Sequence, residues 1–267
     1  MIHFVLLAHV RSGSTMLVRS LAEHHGVRMF GELFNPDENE RARAYSQIRR
    51  DRIARRRGLT PQMYYHDGED GADFLANNVF YKRFYEGWIS SVGFKLFYEQ
   101  ARDTLNAKKA WTYLFESPEL RVIHLFRFNL LETYLSYRIA KLTDEWALLR
   151  GDASKRKDVP PLRLEPEDCA AFFDEMIANR EWARKAWKNH SVLELNYEND
   201  LCNGYDATLA RVEDFIEVDH EPAEQRLVKQ ARRQPHEQIS NYDELKEYFR
   251  YSVHEAYFNN TQSRAHG

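Results

Sequence analysis

The chain opens on a nearly continuous apolar run, Ile2–Ala8, and similar short runs rich in β-branched or aromatic residues recur at Val27–Phe30, Val92–Phe97, Val122–Phe126 and Val192–Leu195. Runs of this kind predict strands. Between them the apolar spacing becomes helical: Leu17, Val18 and Leu21 after the first run, Leu131, Tyr134, Leu135, Ile139 and Leu142 after the fourth, and Cys169, Phe172, Phe173, Met176 and Ile177 further on. Strands apolar on both sides that alternate with helices predict an α/β fold, a central parallel sheet with helices on both faces. Ligands of such sheets bind at the carboxyl ends of the strands, so the residues after Ala8, Phe30, Phe97 and Phe126 are where chemistry is expected.

Two stretches do not fit the sheet. Residues near 36–58 read as a helical insertion with eight arginines between Arg41 and Arg57, and residues near 151–166, polar with Pro160 and Pro161, read as a surface loop. The arginines could meet an anionic acceptor, a phospholipid surface or an acidic partner, but a solvated helix face is the simpler reading. With 267 residues, 43% of them apolar, the whole chain 1–267 is expected to form one domain.

A formal net charge of -3 offers no global field for nucleic acid, so the expected partner is a small molecule whose anionic groups meet local arginines. Only Cys169 and Cys202 are present, which gives no disulfide framework and suits a reducing, cytoplasmic location. The first apolar run has no basic flank and is too short for a signal-peptide core. No segment approaches the roughly 20 apolar residues of a spanning helix, which leaves only peripheral membrane contact open. Oligomeric state is not legible.

The first strand opens into His9-Val10-Arg11-Ser12-Gly13-Ser14-Thr15, followed by a helix. Gly13 lets the backbone approach a ligand, the first helical N–H groups and the helix dipole favour an anion, and Ser12, Ser14, Thr15 and Arg11 add donors. The same composition would serve a plain helix cap. The nucleoside-triphosphate loop G-x-x-x-x-G-K-[ST] is not matched, because Ala8 replaces its first Gly and Ser14 its Lys.

The fourth strand ends at Phe126 and is followed by Arg127, with Asn129 and Glu132 as a capping box for the next helix and Ser136 two turns into it. His124, inside the strand, reads as structural. Two anion sites on one rim of one sheet suit a nucleotide with phosphates at both ends of its ribose.

With these residues in place the sequence resembles the sulfotransferases that use 3'-phosphoadenosine 5'-phosphosulfate (PAPS), in particular the bacterial branch that includes the nodulation sulfotransferases and the trehalose sulfotransferase. Arg11 to Thr15 looks like the family's 5'-phosphosulfate loop, and Arg127 with Ser136, nine apart as in the bacterial branch, looks like its 3'-phosphate motif. Phe128 stands where relatives often have a second basic residue. Further similarity lies in Gly31–Pro36, Gly93–Phe97, Tyr197–Leu201 and Ile239–Leu245.

The resemblance implies a P-loop-like sulfotransferase fold, PAPS as donor, adenosine 3',5'-bisphosphate (PAP) as product, no metal, and a carbohydrate or glycolipid hydroxyl as acceptor. It implies Glu32 as general base and Arg11 as the catalytic contact to the transferring group. It suggests a ligand-facing Lys95, although a strand-terminal Lys is more often solvated. His9 could relay a proton or merely pack against the loop. Tyr197 and Glu198 are expected to fix the helix after the fifth strand, and Arg232 and Arg233 could approach the nucleotide. A nucleotide-binding module without activity and a phosphotransferase are the rival readings.

Overall fold

All five apolar runs are strands: β1 Ile2–Ala8, β2 Val27–Glu32, β3 Ser91–Phe97, β4 Arg121–Phe126 and β5 Ser191–Asn196. In the computed structural model, which describes residues 1–38, 41, 65–146, 157–222 and 234–259, they form one sheet in the order β2-β3-β1-β4-β5. Every neighbouring pair is parallel. The principal helices are α1 Ser14–Glu23, α2 Leu105–Phe115, α3 Leu130–Thr143, α4 Pro166–Ala186, α5 Tyr205–Phe215 and α6 Tyr242–Tyr248.

The period-2 alternation of a strand sends successive side chains to opposite faces, and both faces here are apolar. Val5, Leu7, Phe30, Val92, Phe94 and Val122 pack with Ala107, Ala110, Trp111 and Leu114 of α2 and with Ala183 and Trp187. Phe4, Leu6, Ala8, Met29, Ile123 and Leu125 pack with Leu17, Val18 and Leu21 of α1 and with Leu209 and Val212 of α5. Helices thus cover both faces, and each fully buried Leu of these layers contributes about 2 kcal/mol.

The chain divides into two compact units. One, Met1–Phe126 with Trp182–Gln225, carries the sheet; the other comprises the described residues of Arg127–Glu181 and Arg226–Gly267. In the second unit Leu131, Tyr134, Leu135 and Ile139 of α3 pack with Cys169, Phe173 and Met176 of α4 and with Leu245, Phe249 and Phe258. Leu142 departs from the expected stripe and is exposed, because the buried line continues instead through Thr143, whose hydroxyl donates to the Ile139 carbonyl at 2.9 Å.

The described part of the predicted surface loop, 157–165, is largely exposed and is tied down at two points. Leu162 pairs with Ile239 in a parallel bridge, the Asn241 side chain bonds both the N–H and the carbonyl of Leu164, and Leu164 itself is buried. The bridge and the Asn241 amide satisfy the backbone polar groups around the one buried side chain, Leu164. The rest of that loop, the arginine-rich insertion apart from 36–38 and Arg41, and Arg232 and Arg233 lie outside the described residues. Among the described residues no helix is long and apolar enough to cross a membrane.

Candidate functional site

The chain leaves β1 at Ala8 and must turn sharply to start α1 at Ser14, and it does so with two left-handed residues, Arg11 at φ 64° and Gly13 at φ 86°. A non-glycine residue in that region is strained, and such strain collects at ligand-binding turns. Gly13 has a second reason to lack a side chain: a Cβ there would lie 2.5 Å and 2.7 Å from two ring carbons of Tyr197. The ring that follows β5 therefore packs directly on the loop.

The plain-cap reading fails, since Gly13 is the N-cap and no side chain caps α1. Ser12 N–H donates to His9 O at 3.3 Å and Met16 N–H to Gly13 O at 3.0 Å, which leaves the N–H groups of Gly13, Ser14 and Thr15 without an acceptor among the described residues. The Ser12 hydroxyl, on a residue with 0% exposure, likewise has no partner. Buried polar groups are nearly always paired, so a converging set of unpaired donors at a helix N-terminus marks a place for an anion. His9 is buried, and its Nδ1 donates to the adjacent Val10 carbonyl at 2.7 Å.

Glu32 is the last residue of β2, and a bulge at Gly31 decides where it points. Phe30 pairs with Phe94 but Glu32 pairs with Lys95, so one extra residue is inserted. Plain alternation would leave Glu32 on the face of Phe30; the insertion turns it to the face of Lys95, the side covered by α1.

Lys95 corrects the expectation of a solvated strand end. It lies two residues inside β3, is 5% exposed, and its Nζ contacts Glu32 Oε1 at 2.6 Å and donates to Thr15 Oγ1 at 3.4 Å. The ammonium thus links the anion loop to the carboxylate. Glu32 Oε2 accepts from Asn35 Nδ2 at 2.6 Å and from Gln100 Nε2 at 2.9 Å, two partners that sequence reasoning missed. Arg41, buried rather than on a solvated face, donates to the Asn35 carbonyl at 2.8 Å and pairs with Asp67 at 3.2 Å.

In the second unit Arg127 is buried and donates from Nη2 to Glu132 Oε2 at 3.1 Å, while Asn129 caps α3 by accepting from Glu132 N–H. Ser136 is half-buried on α3. Phe128 is exposed, and the Arg180 guanidinium lies 5.9 Å from its ring centre.

His124 is structural in form: buried, bonded to the Tyr98 hydroxyl at 2.6 Å and to Glu194 at 3.3 Å. Hydrogen bonds from His124 and then Arg184 hold the Glu194 carboxyl down to about 2. After β5, the residue that orders the wide helical turn is Asn196, which accepts from Asn199 N–H and donates to Glu198, a role expected of Tyr197 and Glu198.

No metal-ligand spacing shows in the sequence, yet the fold gathers His24, His25 and Glu221 with ligating atoms within 4.8 Å of one another. Both nitrogens of His24 are already engaged: Nδ1 accepts from Gly26 N–H at 2.9 Å and Nε2 donates to the Asp219 carbonyl at 2.7 Å. The cluster is an ion-paired corner in which the buried His24 has no free ring nitrogen to offer a metal.

Compared with known proteins, the chain matches the sequence model of the Sulfotransferase family over residues 4–222. No curated protein matches it. Among solved structures it is similar to a sulfotransferase from Alicyclobacillus acidocaldarius, at 13% identity over 93% of this chain and 91% of that one, with a TM-score of 0.46.

Proposed function

Because the chain belongs to the sulfotransferase family, we propose that it transfers the sulfuryl group of PAPS to a hydroxyl of a carbohydrate or glycolipid. The observation that carries this reading is the link from unpaired loop donors through Lys95 to Glu32. A module that only bound a nucleotide would have no use for a carboxylate held beside its anion loop. PAPS supplies a sulfuryl group on a phosphate leaving group, and PAP is the product.

The residues act as follows. The N–H groups of Gly13 to Thr15 and the Ser12 hydroxyl hold the 5'-phosphosulfate, as donors preorganised toward a developing charge, an arrangement worth about 10²–10³-fold per donor. Arg11 grips the transferring group from its strained backbone position. Lys95 stabilises charge between the sulfuryl oxygens and Glu32, with Thr15 setting its direction. Glu32 takes the acceptor proton as the acceptor oxygen attacks sulfur, a contribution of about 10²–10⁴-fold. Arg127 and Ser136 recognise the 3'-phosphate, the role that the family resemblance implies for them.

The acceptor class rests on the resemblance to the bacterial branch. A cytoplasmic location belongs to the same proposal, supported by two cysteines that are both unpaired. Incubation of the protein with PAPS labelled at sulfur and a fractionated cell extract tests donor and acceptor together. Label appearing on a saccharide or glycolipid supports the proposal, and label on protein or on no component refutes the acceptor class.

A further inference from the structure

Both oxygens of Glu32 are held, but by different kinds of donor. Oε1 faces the Lys95 ammonium at 2.6 Å, whereas Oε2 accepts from two neutral amides, Asn35 at 2.6 Å and Gln100 at 2.9 Å. An amide can present either its oxygen or its nitrogen, so its orientation has to be argued. Here it is fixed twice by backbone. Phe97 N–H donates to Gln100 Oε1 at 3.1 Å, and Asp37 N–H donates to Asn35 Oδ1 at 2.9 Å. A backbone N–H can only donate, so each amide must turn its oxygen to the backbone and its NH₂ to Glu32.

Gln100 is immobilised further. It is buried, its own N–H donates to the Phe97 carbonyl at 3.1 Å, and its carbonyl accepts from Trp111 Nε1 at 2.8 Å. Neither amide can rotate to accept a hydrogen bond without orphaning a backbone donor, a loss of about 1–3 kcal/mol where the group is buried.

From this geometry, and resting on the assignment of Glu32 as base, we infer that Gln100 and Asn35 are positioning residues that confine proton uptake by Glu32 to Oε1. Among the described residues Oε2 meets two donors and no acceptor to which an O–H could point. Oε1 has one lone pair toward Lys95 and one left for the substrate. In the transfer step the acceptor O–H bond breaks and an Oε1–H bond forms. The acceptor oxygen binds sulfur, and the bond from sulfur to the phosphate oxygen breaks with its electron pair leaving on that oxygen. The proton is thus delivered to the oxygen that faces the Lys95 ammonium.

Gln100→Glu and Asn35→Asp test this, because each keeps shape and an oxygen for its backbone N–H while replacing the NH₂ donor by a carboxylate. The Glu32 carboxyl carbon, recognised as the ¹³C-glutamate resonance absent from Glu32→Gln, is titrated by NMR in each variant. Turnover against pH is measured with PAPS and the acceptor labelled above, and PAP binding by calorimetry reports the integrity of the fold.

A second carboxylate against Oε2 favours a retained proton, so both the Glu32 titration and the acidic limb of turnover should move to higher pH by about one unit, a tenfold change in proton affinity. PAP affinity should stay unchanged. An unmoved Glu32 titration in both variants overturns the inference while leaving Glu32 as base. Glu32→Gln with near-full turnover removes the base assignment and the catalytic role of both amides with it. Should Gln100→Glu fail to fold, Asn35→Asp, at a half-buried position, carries the same test.

Discussion

Substituting Gly13 by Ala adds one methyl group at the point where the anion loop has least room for it. An L-residue at φ 86° costs about 1–2 kcal/mol relative to glycine. The added carbon, 2.5 Å and 2.7 Å from the Tyr197 ring and 3.3 Å from Leu201 Cδ1, forces an overpacking adjustment of about 1–3 kcal/mol. Together these amount to about 2–5 kcal/mol, divided between two outcomes. If the loop holds its shape, the fold loses stability; if the loop yields, the donors of Gly13 to Thr15 diverge and the nucleotide binds less tightly.

Urea denaturation reads the first outcome and calorimetry with PAP the second, and their sum should reach at least about 2 kcal/mol, equivalent to about 30-fold in affinity. Tyr197→Ala in the Gly13→Ala background should recover the packing part and leave the backbone part, as a double-mutant cycle would show. A Gly13→Ala protein whose stability and PAP affinity both lie within about 0.5 kcal/mol of the parent would refute the packing argument.

Lys95→Met leaves Glu32 without its cation and should destabilise the fold by about 3 kcal/mol in urea, whereas Lys95→Met with Glu32→Gln should cost clearly less; equal losses would show that the pair is not coupled. Arg11→Gly, which also relieves the φ 64° strain, should lower turnover as well as donor affinity, while Arg127→Ala should raise only the donor requirement; matching effects on both parameters would abolish that division. Burial, and secondarily the N-terminal ammonium, push the His3 imidazole down from 6.5 to about 4. Between those values the unfolded chain holds more protons, so the stability this group contributes is complete above 6.5 and is lost as pH falls through about 4. The urea midpoint should therefore fall more steeply over this window in the parent than in His3→Phe, and identical slopes would exclude the effect.

The strands were legible because the central runs of β1, β3 and β4 are apolar on both faces almost without interruption, a pattern that surface helices do not share, and the edge runs of β2 and β5 repeat it in shorter form. Ser12 and Gly13 were legible because strand, glycine turn and helix follow one another in the chain. Lys95 was misjudged for the opposite reason. Its surroundings come from β2 and α1, and its pairing with Glu32 depends on a bulge that leaves only one glycine as its trace. Gln100 and Asn35 carry no motif at all; what orients them is the backbone N–H of Phe97 and of Asp37, which no side-chain pattern reveals. Leu142 failed because the helical stripe drifts, and Thr143 took the inward place.

The bulge at Gly31 sets a limit on how this enzyme can be rebuilt. Side-chain direction along a strand is a matter of odd and even, so deleting Gly31 would remove the bulge and still leave the carboxylate on the face of Lys95, directly after Phe30, whereas keeping Gly31 while losing the bulge would turn it into the apolar layer of Phe30. Length changes beyond Pro36 leave that parity untouched. A library intended to alter acceptor choice can therefore vary residues after Pro36, outside β3 and Gln100, and leave the direction of Glu32 as it is, provided that the bulged pairing of Val27–Glu32 with β3 is kept.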